Sequence, residues 1–166
     1  MAVLGLLAIA VYFVGEAVGQ ERARILPGFL FAISTAISAV AIANAAFSRR
    51  TRGDDRICHG VTSYILIGIA FAMIHQRVAI LDPGSYRLPA GDLTHGQWVD
   101  YFWLSFSTLT TAGFGDVAPV SSWARLICTL EAVTGVIYPA VFLAHLHRDE
   151  GRIAAAILEL RDGQPP

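Results

Sequence analysis

The sequence contains no lysine; its twelve basic residues are all arginine, and no function is read from that bias. Charge of either sign is scarce. Only 15% of the 166 residues are charged and the formal net charge is −1, whereas an ordinary soluble domain carries about 25% charged residues. No basic field is present to recruit nucleic acid, and too few charges remain to cover a water-facing surface. The two cysteines, Cys58 and Cys128, show neither CxxC spacing nor a metal-ligand cluster, so buried free thiols are expected. Catalytic signatures are also missing: there is no G-x-S-x-G, no H-E-x-x-H and no P-loop. The chain is therefore not expected to be an enzyme or to carry a cofactor. Nor is there an arginine at every third position of the first two apolar segments, which excludes a voltage sensor built on a charge row.

Apolar sequence is abundant. Hydrophobic residues make up 55% of the chain and the mean hydropathy is +0.56, which suits a bilayer better than water. A spanning helix needs about 20 predominantly apolar residues. Four stretches qualify: Ala2–Val18, read as a retained span rather than a cleaved signal; Ile25–Phe47, free of ionisable residues; Ile57–Ile74, extendable to Leu81; and Trp123–Leu146, whose single internal carboxylate is Glu131. The loop Ser48–Arg56 holds four arginines and the tail adds Arg148, Arg152 and Arg161. Arginine enrichment marks the cytoplasmic side, so a multi-pass protein of a cell (plasma or inner) membrane is expected, with both termini cytoplasmic.

A fifth stretch, Trp98–Thr111, has 14 residues, too few to cross. Glycines follow at once and end a helix there. The segment Asp82–Asp100, rich in Pro and Gly, reads as the extracellular loop leading in. A short helix that enters the membrane and returns as irregular backbone is tolerated where it lines a watery path or is buried in protein. The backbone that returns reads Thr111-Ala112-Gly113-Phe114-Gly115. Rings of backbone carbonyls can replace the hydration shell of a potassium ion. Successive carbonyls point inward when the backbone passes repeatedly through positive φ, which glycine adopts without steric cost. Carbonyls of Thr111, Ala112, Gly113 and Phe114 would form the rings, with the Thr111 hydroxyl as innermost ligand. The C-terminal, negative end of the short helix would favour a cation in the cavity below.

The segment resembles the potassium-channel pore family, whose filter reads TVGYG. The run Asp116-Val117-Ala118-Pro119-Val120-Ser121-Ser122-Trp123-Ala124-Arg125 is similar to the join between filter and inner helix in bacterial two-helix-type channels. Trp103, eight residues before Thr111, falls where the family places a cuff tryptophan. Gly135, twenty residues after Gly115, falls near its gating glycine. The likeness covers roughly Trp98 to Arg148. It implies an all-α membrane protein: four transmembrane helices plus a re-entrant pore helix and selectivity filter, assembled as a homotetramer in the lipid bilayer. It also implies passive potassium conduction, with K+ as the permeant ion and filter support from Trp103, Thr110 and Asp116. Three departures stand out: Ala112 for valine, Phe114 for tyrosine, and Ser107 where some relatives have a glutamate behind the filter. Asp116 then lacks a carboxyl partner, and the Trp103 indole N–H is the remaining donor. Ala112 keeps open a non-selective Na+/K+ channel. A potassium-transporter subunit or a non-conducting scaffold fits less well, since this chain has one pore unit with a full T-x-G-x-G.

The expected organisation is 1–56 as two peripheral helices with an Arg-rich loop, 57–147 as the pore domain and 148–166 as a short cytoplasmic tail. In the tail, Ile153, Ile157 and Leu160 suit a short amphipathic helix. Pro139, four residues past Gly135, would kink the inner helix; together they are either a gating hinge or a static bend. Glu131 reads either as a proton-sensitive brace behind the short helix or as a protonated or hydrogen-bonded structural residue. His147, beside His145 where the inner helix leaves the membrane, is a possible pH-sensitive group. His59 and His75 read as interfacial.

Overall fold

The computed structural model describes residues 25–48, 53–88 and 98–162. The first expected span, Ala2–Val18, lies outside the described residues. Four helices and a two-stranded ribbon are described: α1 (Ile25–Ala46), α2 (Gly53–Leu81), β1 (Tyr86–Arg87), α3 (Trp98–Leu109), β2 (Ala118–Pro119) and α4 (Ser122–Asp162).

Three of these helices are long and apolar enough to cross a membrane, over Gly28–Ala46, Asp55–Leu81 and Ser122–Arg148. At about 1.5 Å per residue, the first span comes close to the roughly 30 Å hydrocarbon core and the other two exceed it. In α1 the hydroxyls of Ser34 and Thr35 donate to the Phe31 carbonyl and that of Ser38 to the Ser34 carbonyl, each at 2.9 Å. They are thereby satisfied without water. Gly28, Ala32, Ala39 and Ala46 are buried, and small residues let helix backbones approach closely where hydrocarbon offers no hydrophobic drive. Arg77 of α2 lies across Gly28, 2.2 Å from where a Cβ would stand.

Two boundaries differ from the sequence reading. Helix α2 begins at Gly53 rather than Ile57, so Asp54, Asp55 and Arg56 form its first turns rather than a loop. The Arg56 Nε donates to the Ala46 carbonyl at 3.2 Å, capping the end of α1. Helix α4 runs unbroken past Arg148 to Asp162, so the tail continues the last span instead of forming a separate helix. Nothing in Arg148–Asp162 breaks a helix except Gly151, and a lone glycine costs only about 1 kcal/mol. The cysteines also differ: Cys58 is exposed and Cys128 half-buried.

The outer end holds a compact core of Tyr86, Tyr101, Leu104, Val117 and Ala124, with Val78, Ala79, Leu88 and Cys128 packed against it. β1 pairs antiparallel with β2, Tyr86 opposite Pro119 and Arg87 opposite Ala118. The Ser85 carbonyl accepts from the Val120 and Ser121 amides at 2.8 and 3.2 Å. Ser121 then caps α4, its hydroxyl accepting from the Ala124 amide at 3.3 Å. The segment before α3 and the one after its loop are thus tied together, which fixes the β2 end of the loop between α3 and β2.

Candidate functional site

Helix α3 stops at Leu109, and the Thr110 and Thr111 amides close its last turn on the Phe106 and Thr108 carbonyls, each at 3.0 Å. The chain then turns back on the helix, with the Gly113 amide donating to the Ser107 carbonyl at 3.1 Å. Positive φ occurs at every second residue: 59° at Thr111, 60° at Gly113 and 78° at Gly115. A strand would send its carbonyls to alternate sides, whereas a backbone that alternates hand turns them to one side. The two glycines adopt this freely. Thr111 is β-branched and a genuine outlier there, a strain of about 1–3 kcal/mol of the kind kept at functional sites. A Cβ on Gly113 would meet nothing within 4 Å, so glycine is required there by conformation rather than by space. Residues 110–116 are exposed in the single chain.

One aromatic wall supports this loop. The Trp103 ring stacks on Phe114, centroids 4.7 Å apart and planes 21° from parallel. Its indole N–H donates to Asp116 Oδ1 at 3.1 Å, the partnership expected once Ser107 left Asp116 without a carboxyl neighbour. The same oxygen accepts from the Val117 amide at 3.0 Å. Ser107 itself is buried and donates to the Leu104 carbonyl at 3.1 Å. Thr110 donates to the Phe106 carbonyl at 2.6 Å, and Ala112 lies exposed between Thr111 and Gly113.

At the foot of the loop, α4 presses on the end of α3. A Cβ on Gly135 would stand 1.9 Å from the Leu109 carbonyl oxygen. That carbonyl is one of the four that a helix end leaves unpaired, and the Tyr64 hydroxyl of α2 donates to it at 3.0 Å. Gly135 is thus first a place of close backbone approach. The helix continues through both Gly135 and Pro139. Farther in, Tyr138 donates to the Gly60 carbonyl at 3.0 Å and hydrogen-bonds Ser63. Phe142 rests on Gly60, 2.3 Å from its would-be Cβ. Phe47, just past α1, meets the rings of Tyr138, Phe142 and His145 edge-on at 5.3–6.4 Å. His147 is exposed on α4.

Behind α3 lies a buried polar chain that the sequence reading only half recognised. Glu131 is fully buried, and His75 Nε2 lies 2.8 Å from its Oε2. His75 Nδ1 lies 2.8 Å from the Tyr86 hydroxyl. Ser105 of α3 lies against Glu131 Oε1 and donates to the Gly68 carbonyl at 2.8 Å. His75 is therefore not interfacial but buried, with both ring nitrogens engaged. A signal existed: a histidine near the outer end of one span and a carboxylate near the outer end of another sit at one depth, where burial forces polar groups to pair. Tyr86, outside the spans, has its phenol pushed up by burial first and then by Cys128, Tyr101 and Glu131, so it remains a neutral O–H donor.

A short helix ending at a loop of alternating hand, backed by one wall and seated on a long inner helix, is the architecture of a pore loop. A family profile described as an ion channel matches residues 61–148, more than half of the chain. The chain belongs to the ion-channel family of potassium-channel-like pores. The match takes in most of the outer helix α2, all of the pore helix α3, the loop, and the inner helix α4 as far as Arg148. Neither the curated proteins nor the solved structures give a match. Helix α1 and Phe47, which follows it and touches the inner helix, lie ahead of the matched pore.

Proposed function

We propose that four copies of this chain surround one axis in a cell membrane and conduct potassium passively through a filter made of Thr111, Ala112, Gly113, Phe114 and Gly115. The observation that carries the reading is the positive φ at Thr111, Gly113 and Gly115, because a backbone of alternating hand stacks carbonyls as successive ligands for a dehydrated cation. One chain contributes one side of each ring, and its exposed loop leaves room for three more. Carbonyls of Thr111 to Phe114 and the Thr111 hydroxyl replace the ion's water, and ions advance by mutual displacement between adjacent sites. Trp103, Thr110 and Asp116 hold the wall. Gly135 and Pro139 set the bend on which the inner helix opens, and its contact with Leu109 makes that bend felt at the foot of the filter. The Arg-rich segment Ser48–Arg56 and both termini face the cytoplasm. No cofactor takes part.

The test is cation flux from purified protein in liposomes, potassium against sodium, with barium as a filter blocker. Barium-sensitive flux that favours potassium is expected. Barium-sensitive flux of both ions would place the chain among non-selective channels, with the small Ala112 side chain packing the filter too loosely. No flux in wild type or in a His147 variant would overturn the conduction reading.

A further inference from the structure

The buried chain Tyr86–His75–Glu131–Ser105–Gly68 joins the outer ribbon, α2, α4 and α3. Its protons can be counted. A serine hydroxyl carries one hydrogen, and a backbone carbonyl only accepts. The Ser105 Oγ meets two oxygens, the Gly68 carbonyl at 2.8 Å and Glu131 Oε1. An ionised carboxylate also only accepts, so one of the two Ser105 contacts would then hold two oxygens with no hydrogen between them. The alternative, an imidazolium on an ionised Glu131, meets the same difficulty: one Ser105 contact is left without a hydrogen.

We infer that Glu131 carries a proton in the folded channel and donates it to Ser105 Oγ, making the whole chain a neutral strut with one direction of hydrogen bonding. Tyr86 O–H donates to His75 Nδ1, His75 Nε2–H donates to Glu131 Oε2, Glu131 O–H donates to Ser105, and Ser105 O–H donates to the Gly68 carbonyl. Every polar atom in the chain is then used once, which is how a buried polar network is stabilised without a buried charge. The titratable groups within electrostatic reach of Glu131 are His75 and Tyr64 on α2, Tyr86 at β1 and Cys128 on α4 itself. The outer ribbon is fixed to the neck of the filter by the pairing of Tyr86 with Pro119, and Ser105 lies six residues before Thr111 on the pore helix. Glu131 is accordingly a positioning residue for the filter, a role that rests on the conduction reading, whereas its protonation does not.

Infrared spectroscopy of the full-length protein in lipid at neutral pH tests the protonation directly. The carbonyl stretch of a buried, protonated carboxylic acid should be present in wild type, move on glutamate isotope labelling and vanish in Glu131→Gln. Absence of a labelled acid band overturns the inference, and this reading needs no variant to fold. Flux tests the positioning role. Glutamine can both donate to Ser105 and accept from His75, so Glu131→Gln should keep potassium flux within about twofold of wild type. Glu131→Ala strands both partners and should lose at least about tenfold, the order of one buried hydrogen bond. Wild-type flux from Glu131→Ala, or loss in Glu131→Gln equal to that in Glu131→Ala, overturns it. An acid band with no wild-type flux would remove the conduction reading and leave the neutral strut; flux without the band would do the reverse.

Discussion

The outer and inner halves of this molecule are held together in different ways. In the outer half the pore helix is gripped by a core of Tyr86, Tyr101, Leu104, Val117 and Ala124, by a two-residue ribbon and by the buried chain through Glu131. The ribbon and the buried chain are directional, and each has one geometry. In the inner half α4 meets its neighbours mainly through the rings of Phe47, Tyr138, Phe142 and His145, at separations of 5.3–6.4 Å, with the Tyr138 hydroxyl bonds to Gly60 and Ser63 as the directional links. Ring-on-ring contacts are broad in their geometry, so they permit sliding where hydrogen bonds do not. The contrast teaches which end the geometry restrains more: the supports of the loop between α3 and β2 each have one arrangement, and the ring packing along α4 has a broader one. Gly135 stands at the border, bearing on Leu109.

Breaking the border should have the largest effect. Gly135→Ala puts a methyl 1.9 Å from a backbone oxygen that no side-chain rotation can clear. We expect a destabilisation of about 3 kcal/mol or more, at the upper end of overpacking, seen as a marked fall in melting temperature in detergent. A mere hinge glycine would instead tolerate alanine without that fall and change only gating.

A smaller effect should follow from loosening the outer wall. Trp103→Phe keeps a ring against Phe114 but removes the donor to Asp116. A cost of about 1–2 kcal/mol is expected for a hydrogen bond to a charged group at an exposed site. Conduction should persist while openings shorten in single-channel records. Unchanged openings would show that the aromatic contact alone holds the filter.

The smallest change in stability should come from the inner half. Tyr138→Phe keeps the ring contacts and deletes the bonds to Gly60 and Ser63. A loss of about 1 kcal/mol is expected, together with a higher open probability, since that hydroxyl holds the inner helix against α2. An equal loss of stability and selectivity would mean that the inner half is as fixed as the outer one.

Much of the pore was legible in the sequence because its signals are local. Apolar runs mark spans, and α1 and the pore helix begin where those runs begin. Gly113 and Gly115 mark positive φ without any tertiary information, and Trp103 was recognisable as a donor to Asp116 once Ser107 offered no carboxyl. Helix α4 was underestimated because the tail is polar, and hydropathy reports the membrane edge rather than the helix end. His75 was misread for a related reason. Its place in the chain suggests an interface, but burial depends on which way the helix is rotated.

The sequence by itself determined that the chain is apolar enough to span a bilayer, that a helix too short to cross precedes a glycine-alternating loop, and that this loop passes through positive φ at its glycines. These are properties of contiguous residues. Tertiary structure alone decided that Glu131 faces His75, 56 residues away, that Gly135 is the contact surface for the end of the pore helix, and that Phe47 of the preceding segment touches the inner helix. Each of these requires the relative depth and rotation of two or more helices, which hydrophobicity along one helix does not encode, because lipid and protein interior are equally apolar neighbours.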